Sequence, residues 1–487
     1  MSKKIFISTP IYYPNNKLHI GHAYTTTLAD FLSRYKKQRG YETFFLTGSD
    51  EHGQKLEDTA KELKVDTKTY IDEIVATFKV LWDKLGIDYD LFIRTTDETH
   101  KSFVKQKFTE LVEANYIHEG VYKGFYCKPC ESMFTEQQLE ETKCPLCGRE
   151  VDEIEEPTFF LEVSKFQDWI KEILETKNIL LPAFRVQELT NNFLEDLKDL
   201  SVTRTNFQWG IQINENTKHV IYVWLDALLN YLSAFEYKEA PFSLEEIWGK
   251  DSDAEIVQFV GKEITRFHSI YWPIILKMLN LRLPSVYAHG WLLSNGVKMS
   301  KSLGNITDPI EMIETYSRDA IRFYLMTSIS TGDDGKISNE LVEELYNGIL
   351  VNKYANLVSR TFKMIVKYRD GIIPDIKPEL LDNFEITKND FESKVDSFEY
   401  NKAMKTWISF LDEVNGYIDI TQPWTLDGVD NDKLDLVLST LINAIVNASE
   451  LIAPVLIDSS KITLSQIDLV NGKLSSLEPL HLFERIK

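Results

Sequence analysis

The chain has 487 residues, 43% hydrophobic and 26% charged, and a formal net charge of −21. At roughly 150 residues per domain this anticipates about three domains, with ample apolar content for buried cores. The acidic balance excludes a broad basic coat for non-specific nucleic-acid binding, though not a local basic face. No run of 18 apolar residues is present to span a membrane, and Ile5-Phe6-Ile7 is too short for a signal peptide. A cytoplasmic protein without a membrane partner is expected.

The amino-terminal segment alternates strand and helix patterns. Residues 4–8 read as a short apolar strand, followed by a loop rich in Pro, Tyr and Asn from Pro10 to Lys17. An amphipathic helix is predicted from about Gly21 to Gln38, stopping before Gly40. Phe44-Phe45-Leu46 reads as a second buried strand, with the polar loop Gly48-Ser49-Asp50-Glu51-His52-Gly53 after it. Further helices are predicted near 66–85 and 98–115. Strands alternating with helices imply an α/β fold with a doubly wound, Rossmann-like parallel sheet.

From about 116 to 220 the texture changes to short strands, aromatics, acidic stretches and all four cysteines, which reads as an insertion. Four cysteines are too few for a disulfide scaffold. Cys127-Lys128-Pro129-Cys130 and Cys144-Pro145-Leu146-Cys147 are two CxxC pairs separated by 13 residues. Such pairs suit tetrahedral Zn²⁺, because each turn points two sulfurs at one centre. Gly148 permits a tight turn after the second pair. A complete Cys₄ set has no open coordination position, so one structural zinc is expected; a redox pair or unligated thiols are the alternatives.

The alternation resumes with a strand at Val220-Ile221-Tyr222-Val223 and a helix from Asp226 to Phe235. A strand at Ile256-Val257-Gln258-Phe259-Val260, a helix near 266–279 and a strand at Val286-Tyr287-Ala288 follow. From about 308 to 455 the pattern is almost wholly helical. The predicted layout is a first catalytic half at 1–115 and an insertion at 116–220 with its zinc knuckle at about 126–148. A second catalytic half at 221–280, a loop and stem-contact region at 281–340, and an all-α helical-bundle domain at 341–487 complete it.

His19-Ile20-Gly21-His22 opens the first helix, and histidines three apart share a helical face. Gly21 leaves room for a ligand ring, and the helix N-terminus offers free N–H groups to phosphate. Alone, H-x-x-H also describes ordinary helix-start histidines. Lys298-Met299-Ser300-Lys301-Ser302 follows a predicted hairpin turn at Asn295-Gly296 and can bring two mobile cations to a triphosphate. Alone, it also describes a solvated loop. Together, HIGH after the first strand and KMSKS far downstream resemble the paired signatures of the class I aminoacyl-tRNA synthetases. The chain is most similar to the methionyl-tRNA synthetase family, through Pro10-Ile11-Tyr12-Tyr13-Pro14-Asn15, Tyr222-Val223-Trp224-Leu225-Asp226-Ala227, His289-Gly290 and the helical carboxyl-terminal part.

The resemblance implies that L-methionine and ATP give methionyl-AMP and pyrophosphate, and that methionine then passes to the terminal ribose of tRNA(Met). A methionine pocket needs aromatic walls for the sulfur and one anion for the ammonium group. Tyr13, Trp224 and Tyr231 are the candidate walls, Ala227 and Leu228 the floor, and Asp50, after the second strand, the anion. In the resembled family the positions matching Ile11, Tyr13, Asp50, Trp224, Ala227, Leu228, Tyr231 and His289 surround the amino acid. The resemblance also assigns Gly261 and Glu263 to the ATP ribose, with His268 read as a satisfied helix residue. His19 and His22 would hold the α-phosphate and adenine end, and Lys298 and Lys301 the departing pyrophosphate, bridged by Mg²⁺.

Residues 347–369 contain Lys353, Arg360, Lys363, Lys367 and Arg369 and no acidic residue, a local basic island. Asn352, Asn356 and Arg360 recur every four residues as a polar stripe, while Leu350, Tyr354, Leu357, Val358 and Ile365 fall on a packing face. The resemblance turns Asn352, Asn356, Arg360 and the aromatic Trp424 toward the tRNA anticodon. The rival readings are a class I synthetase for another amino acid and a non-catalytic zinc-containing tRNA-binding protein. With no appended β-barrel of the kind that dimerises some relatives, a monomer is expected.

Overall fold

A six-stranded, wholly parallel sheet runs in the order Leu91–Arg94, Glu42–Ser49, Lys4–Tyr12, Glu255–Gly261, Ser285–His289, Leu180–Leu181. The computed structural model describes residues 2–127, 132–134, 136, 139, 141–145, 148–214, 218–294, 297–298 and 308–486. Two compact units result: Met1–Asp83 with Ile87–His289, and Lys84–Gly86 with Gly290–Lys487.

In the first unit the chain winds outward from Lys4–Tyr12 to Glu42–Ser49 and Leu91–Arg94. It then returns on the other side through Glu255–Gly261 and Ser285–His289. The reversal point lies between Lys4–Tyr12 and Glu255–Gly261. Open α/β sheets bind ligands at the carboxyl ends of strands flanking such a point. Central strands covered on both faces must be apolar throughout; Ile5, Phe6 and Ile7 are accordingly fully buried. Phe6 packs against Phe44, Phe235 and Trp248 with ring centroids 5.2–5.9 Å apart.

Several expectations need correction. Lys4–Tyr12 extends through part of the predicted loop: its pairing with Glu42–Ser49 shifts register between Ser8 and Ile11 and then resumes at Ile11↔Gly48 and Tyr12↔Ser49. Pro10, which has no N–H to donate, falls inside that irregularity, where a proline is tolerated. Gly48 and Ser49 therefore belong to a strand rather than a loop, and a helix at Gln54–Leu63 was not foreseen. Inside 116–220, Leu180–Leu181 joins the main sheet beside Ser285–His289. The remainder carries a separate antiparallel sheet built on Ile117–Cys127 and Asp152–Leu161. Val220–Ile221 pairs antiparallel with Thr203–Arg204 and lies outside the main sheet. The predicted helix at 226–235 is two short helices, Val223–Leu228 and Asn230–Ser233, with a 3₁₀ turn after them. The helix predicted near 266–279 begins as a π-helix at Phe267–Tyr271 before Trp272–Met278 continues as α.

The second unit holds a small sheet, Val297–Lys298, Leu292–Ser294 and Gly335–Ile337, and a helical bundle. Trp407 anchors the bundle: it is fully buried, donates its indole N–H to Ala448 O at 2.9 Å and packs on Phe323 and Tyr354. Among the described residues one helix, Asn431–Ile452, is long and apolar enough to cross a membrane by length and composition. Two-thirds of its apolar window is buried inside the protein, so it serves as a core helix. The expected packing face is buried as well: Leu350, Tyr354, Leu357, Val358 and Ile365 are each at most 1% exposed.

Candidate active site

The carboxyl ends of four adjacent parallel strands carry several of the predicted ligand residues. Ile11 and Tyr13 lie at the end of Lys4–Tyr12, Asp50 directly follows Glu42–Ser49, Gly261 ends Glu255–Gly261, and His289 ends Ser285–His289. The first helix, Ile20–Gln38, starts from the same edge with His19 as its N-cap.

The two histidines interlock. His19 Nδ1 accepts from Gly21 N–H at 3.0 Å, and His22 Nδ1 accepts from His19 N–H at 3.1 Å. Their ring centroids are 3.9 Å apart. This corrects the expectation of open N–H groups and an empty space at Gly21. A Cβ on Gly21 would lie 2.8 Å from His19 Cε1, so the imidazole of His19 itself occupies that space. Desolvation, reinforced by neighbouring His19, holds the His22 pKa well below its ordinary value, so His22 is neutral at pH 7. With Nδ1 accepting, its proton sits on Nε2, which makes it a hydrogen-bond donor rather than a cation. His289 is bonded to the same helix through Nε2···Thr25 Oγ1 at 2.7 Å and packs edge-on to Tyr24.

Glu263 folds back over Gly261: a Cβ there would lie 2.6 Å from both carboxylate oxygens. Only glycine allows that approach, and it places a hydrogen-bond acceptor at the strand end nearest the reversal point.

The three aromatic residues expected as pocket walls have the following packing partners. Trp224 stacks on Phe267, 3.6 Å between centroids and 3° from parallel. Its buried indole Nε1–H finds no hydrogen-bond partner among the described residues. Tyr231 is 1% exposed and shares a 2.8 Å hydrogen bond with His268 Nε2. Burial pushes the Tyr231 hydroxyl far above its usual range and the His268 imidazole down to about 4. Ala227 and Leu228 are buried on the Trp224 helix. Tyr13 packs on Leu56, Ile71 and Val75. An aromatic after Gly261-Lys262-Glu263 looks like ordinary helix core, so sequence alone does not single out Phe267; His268, expected as a satisfied helix residue, is the partner of Tyr231.

In the insertion, Cys127 and Cys144 are fully buried and share a small cluster with Phe134. Cys144 N–H donates to Arg149 O at 2.9 Å, and Gly148 N–H to Cys144 O at 2.8 Å, with Gly148 at φ +69°. That tight left-handed turn is the one expected after the second pair. Among the described residues no group of three or more His, Cys, Asp or Glu could hold a metal ion, and Cys130 and Cys147 lie outside them. The Lys298 backbone is in strand Val297–Lys298, while its side chain, Lys301 and the turn at Asn295-Gly296 lie outside them.

On the helical unit, Asn352 and Asn356 are exposed and Trp424 is 49% exposed. Asn352 lies in a π-helical stretch, Tyr346–Ala355, that passes into helix Asn356–Arg369. The basic island is largely paired across helices, which corrects its reading as a local excess of charge. Lys353 meets Asp412 at 2.6 Å, Arg369 meets Asp435 at 2.5 Å and Arg360 approaches Asp419 at 3.8 Å. Asn352 accepts from Arg485 at 2.6 Å.

A parallel sheet with a doubled-back strand order and a helix N-terminus at its carboxyl edge is the Rossmann-like framework on which many nucleotide-binding proteins are built. The family model for class I tRNA synthetases (M) matches residues 5–156 and 150–362, and the chain belongs to that family. It is 43% identical over 454 residues to the methionine–tRNA ligase of Clostridium tetani, covering 91% of this chain and 70% of that one. It is 42% identical to the Mycoplasmopsis pulmonis methionine–tRNA ligase over 100% of this chain and 97% of that one. The solved structure of Mycobacterium tuberculosis methionyl-tRNA synthetase in complex with methionyl-adenylate superposes with a TM-score of 0.91 at 30% identity, covering 99% of this chain and 100% of that one. The activity is ATP-dependent ligation of methionine to tRNA.

Proposed function

We propose that this chain activates methionine at the carboxyl edge of its parallel sheet, with His19, His22, Gly261 and Glu263 holding ATP. Ile11, Tyr13, Asp50, Trp224, Ala227, Leu228, Tyr231 and His289 hold methionine. The observation that carries this reading is the convergence of Asp50, Gly261, His289 and the His19–His22 pair on adjacent strand ends at the reversal point. Residues distant in sequence are thereby brought to the edge at which open α/β sheets bind ligands.

The chemistry asks little proton transfer of the protein. A methionine carboxylate is already ionised at pH 7 and attacks the α-phosphorus directly. Catalysis then rests on in-line positioning and on stabilising phosphate charge. Neutral His22 supplies an Nε2–H donor to a phosphate oxygen, and Asp50 fixes the ammonium group. The unpartnered Trp224 indole and the Phe267 ring stacked on it give the thioether a polarisable wall. Lys298 and Lys301 supply positive charge to the departing pyrophosphate, and Mg²⁺ bound with ATP would add to it. Cys127, Cys130, Cys144 and Cys147 hold one structural Zn²⁺. Asn352, Asn356, Arg360 and Trp424 form the anticodon-reading face, with the exposed Trp424 ring available for base stacking.

ATP–pyrophosphate exchange with each of the twenty amino acids tests the assignment. Methionine alone should support exchange, and Asp50→Asn and Trp224→Ala should raise the methionine KM. Exchange driven equally well by a branched-chain amino acid would overturn the pocket assignment.

A further inference from the structure

Three segments that carry the proposed methionine pocket meet at one buried carboxylate. Asp226 lies between Trp224 and Ala227 on helix Val223–Leu228 and is fully buried. Its Oδ2 is 2.6 Å from His52 Nδ1, and its Oδ1 is 2.7 Å from His100 Nε2. His52 follows Asp50 by two residues on the loop leaving Glu42–Ser49. His100 sits on helix Glu98–Glu113 and continues the chain through Nδ1 to Ser233 Oγ at 2.7 Å. Ser233 follows Tyr231 by two residues and ends helix Asn230–Ser233.

An ionised carboxylate only accepts hydrogen bonds, so both imidazoles donate to it. Burial raises the Asp226 pKa, but the two histidines more than offset this and hold it below its ordinary value. A buried charge is tolerated when it is fully hydrogen-bonded, and the network so formed is rigid. All its members are buried: His52 is 4% exposed, and His100, Asp226 and Ser233 are 0%.

We propose that Asp226, acting through His52 and His100, is the positioning residue of the methionine site. It sets the distance between the Asp50 carboxylate and the Trp224–Tyr231 aromatic wall. The inference rests on the assignment of Asp50 and Trp224 to methionine. The loop has a second, independent anchor. Glu51 accepts from Ser49 Oγ and Arg94 Nε at 2.5 Å, and its N–H donates to Thr95 Oγ1 at 2.9 Å. The Asp50 N–H also donates to Tyr12 O at 3.0 Å, so loss of the His52 contact leaves the loop folded and removes only its tie to the Trp224 helix.

The test compares His52→Ala, His52→Asn and Asp50→Asn in the full chain by ATP–pyrophosphate exchange. His52→Ala should raise the methionine KM by ~10-fold or more, with kcat within ~3-fold and the ATP KM unchanged. His52→Asn keeps an N–H donor near the Nδ1 position and should recover most of that loss, which a merely structural role would not predict. An unchanged methionine KM in His52→Ala overturns the proposal. So do methionine and ATP KM values that rise together without rescue by Asn. If Asp50→Asn raises the methionine KM while His52→Ala does not, the positioning role alone fails. If Asp50→Asn leaves it unchanged, the assignment of Asp50 fails and the proposal falls with it.

Discussion

Gly21→Ala separates activity from stability at the histidine pair. The added methyl would sit 2.8 Å from His19 Cε1 and 3.0 Å from His19 Nδ1, so the imidazole must swing away. That movement breaks the Gly21 N–H to His19 Nδ1 cap and the 3.9 Å ring contact with His22. Losing a side-chain N-cap costs ~1 kcal/mol. Replacing a helical glycine by alanine returns up to ~1 kcal/mol, somewhat less at this second helical position. The two nearly cancel, so Tm should stay within about 4 °C of the parent. Activity has no such compensation: a displaced phosphate donor should lower kcat for pyrophosphate exchange by ~100-fold or more. Stopped-flow or exchange kinetics at saturating methionine and ATP, paired with calorimetry, reads both quantities. A kcat within twofold of the parent, or a loss of activity that tracks a large fall in Tm, would refute the reasoning.

Lys301→Ala should slow adenylate formation by ~100-fold or more with little change in methionine affinity, since the lost contact acts at the transition state; a normal kcat with a raised methionine KM would contradict that role. Trp424→Ala should weaken tRNA charging and leave pyrophosphate exchange intact, because a half-exposed ring bears little of the core; equal loss in both assays would mark it as structural. The depressed His268 pKa, about 4 against an ordinary 6.5, makes stability pH-dependent. Below pH 6.5 the unfolded chain takes up a proton that the folded one refuses, so stability is full above 6.5 and falls progressively toward pH 4. The loss is about 3 kcal/mol in all, and denaturation across pH 4–7 should show it shrinking by that amount in His268→Gln. Freshly purified protein should carry one zinc per chain by elemental analysis, and Cys127→Ser should lower that content while leaving the main sheet folded.

The short-range patterns were legible in the linear chain. The 3.6-residue periodicity of Ile20–Gln38, the apolar run Ile5-Phe6-Ile7, the turn at Gly148 and the packing face from Leu350 to Ile365 each depend on neighbours within a few turns. Local stereochemistry and burial decide such features, so composition and spacing suffice. Other features were set by partners far away. Pro10 lies within a strand because Glu42–Ser49 resumes pairing beyond it, and Leu180–Leu181 joins the sheet because Ser285–His289 offers it an edge. Trp224 stacks on Phe267, 43 positions further along the chain. The carboxylates of Asp412 and Asp435 neutralise Lys353 and Arg369, which stood as bare cations in the sequence. Asp226 meets His52 and His100 across 174 and 126 residues of chain. Periodicity tells which face of an element is hidden but not what hides it. A buried charge declares its role only when the groups satisfying it are brought within hydrogen-bond reach by the packing of the whole unit.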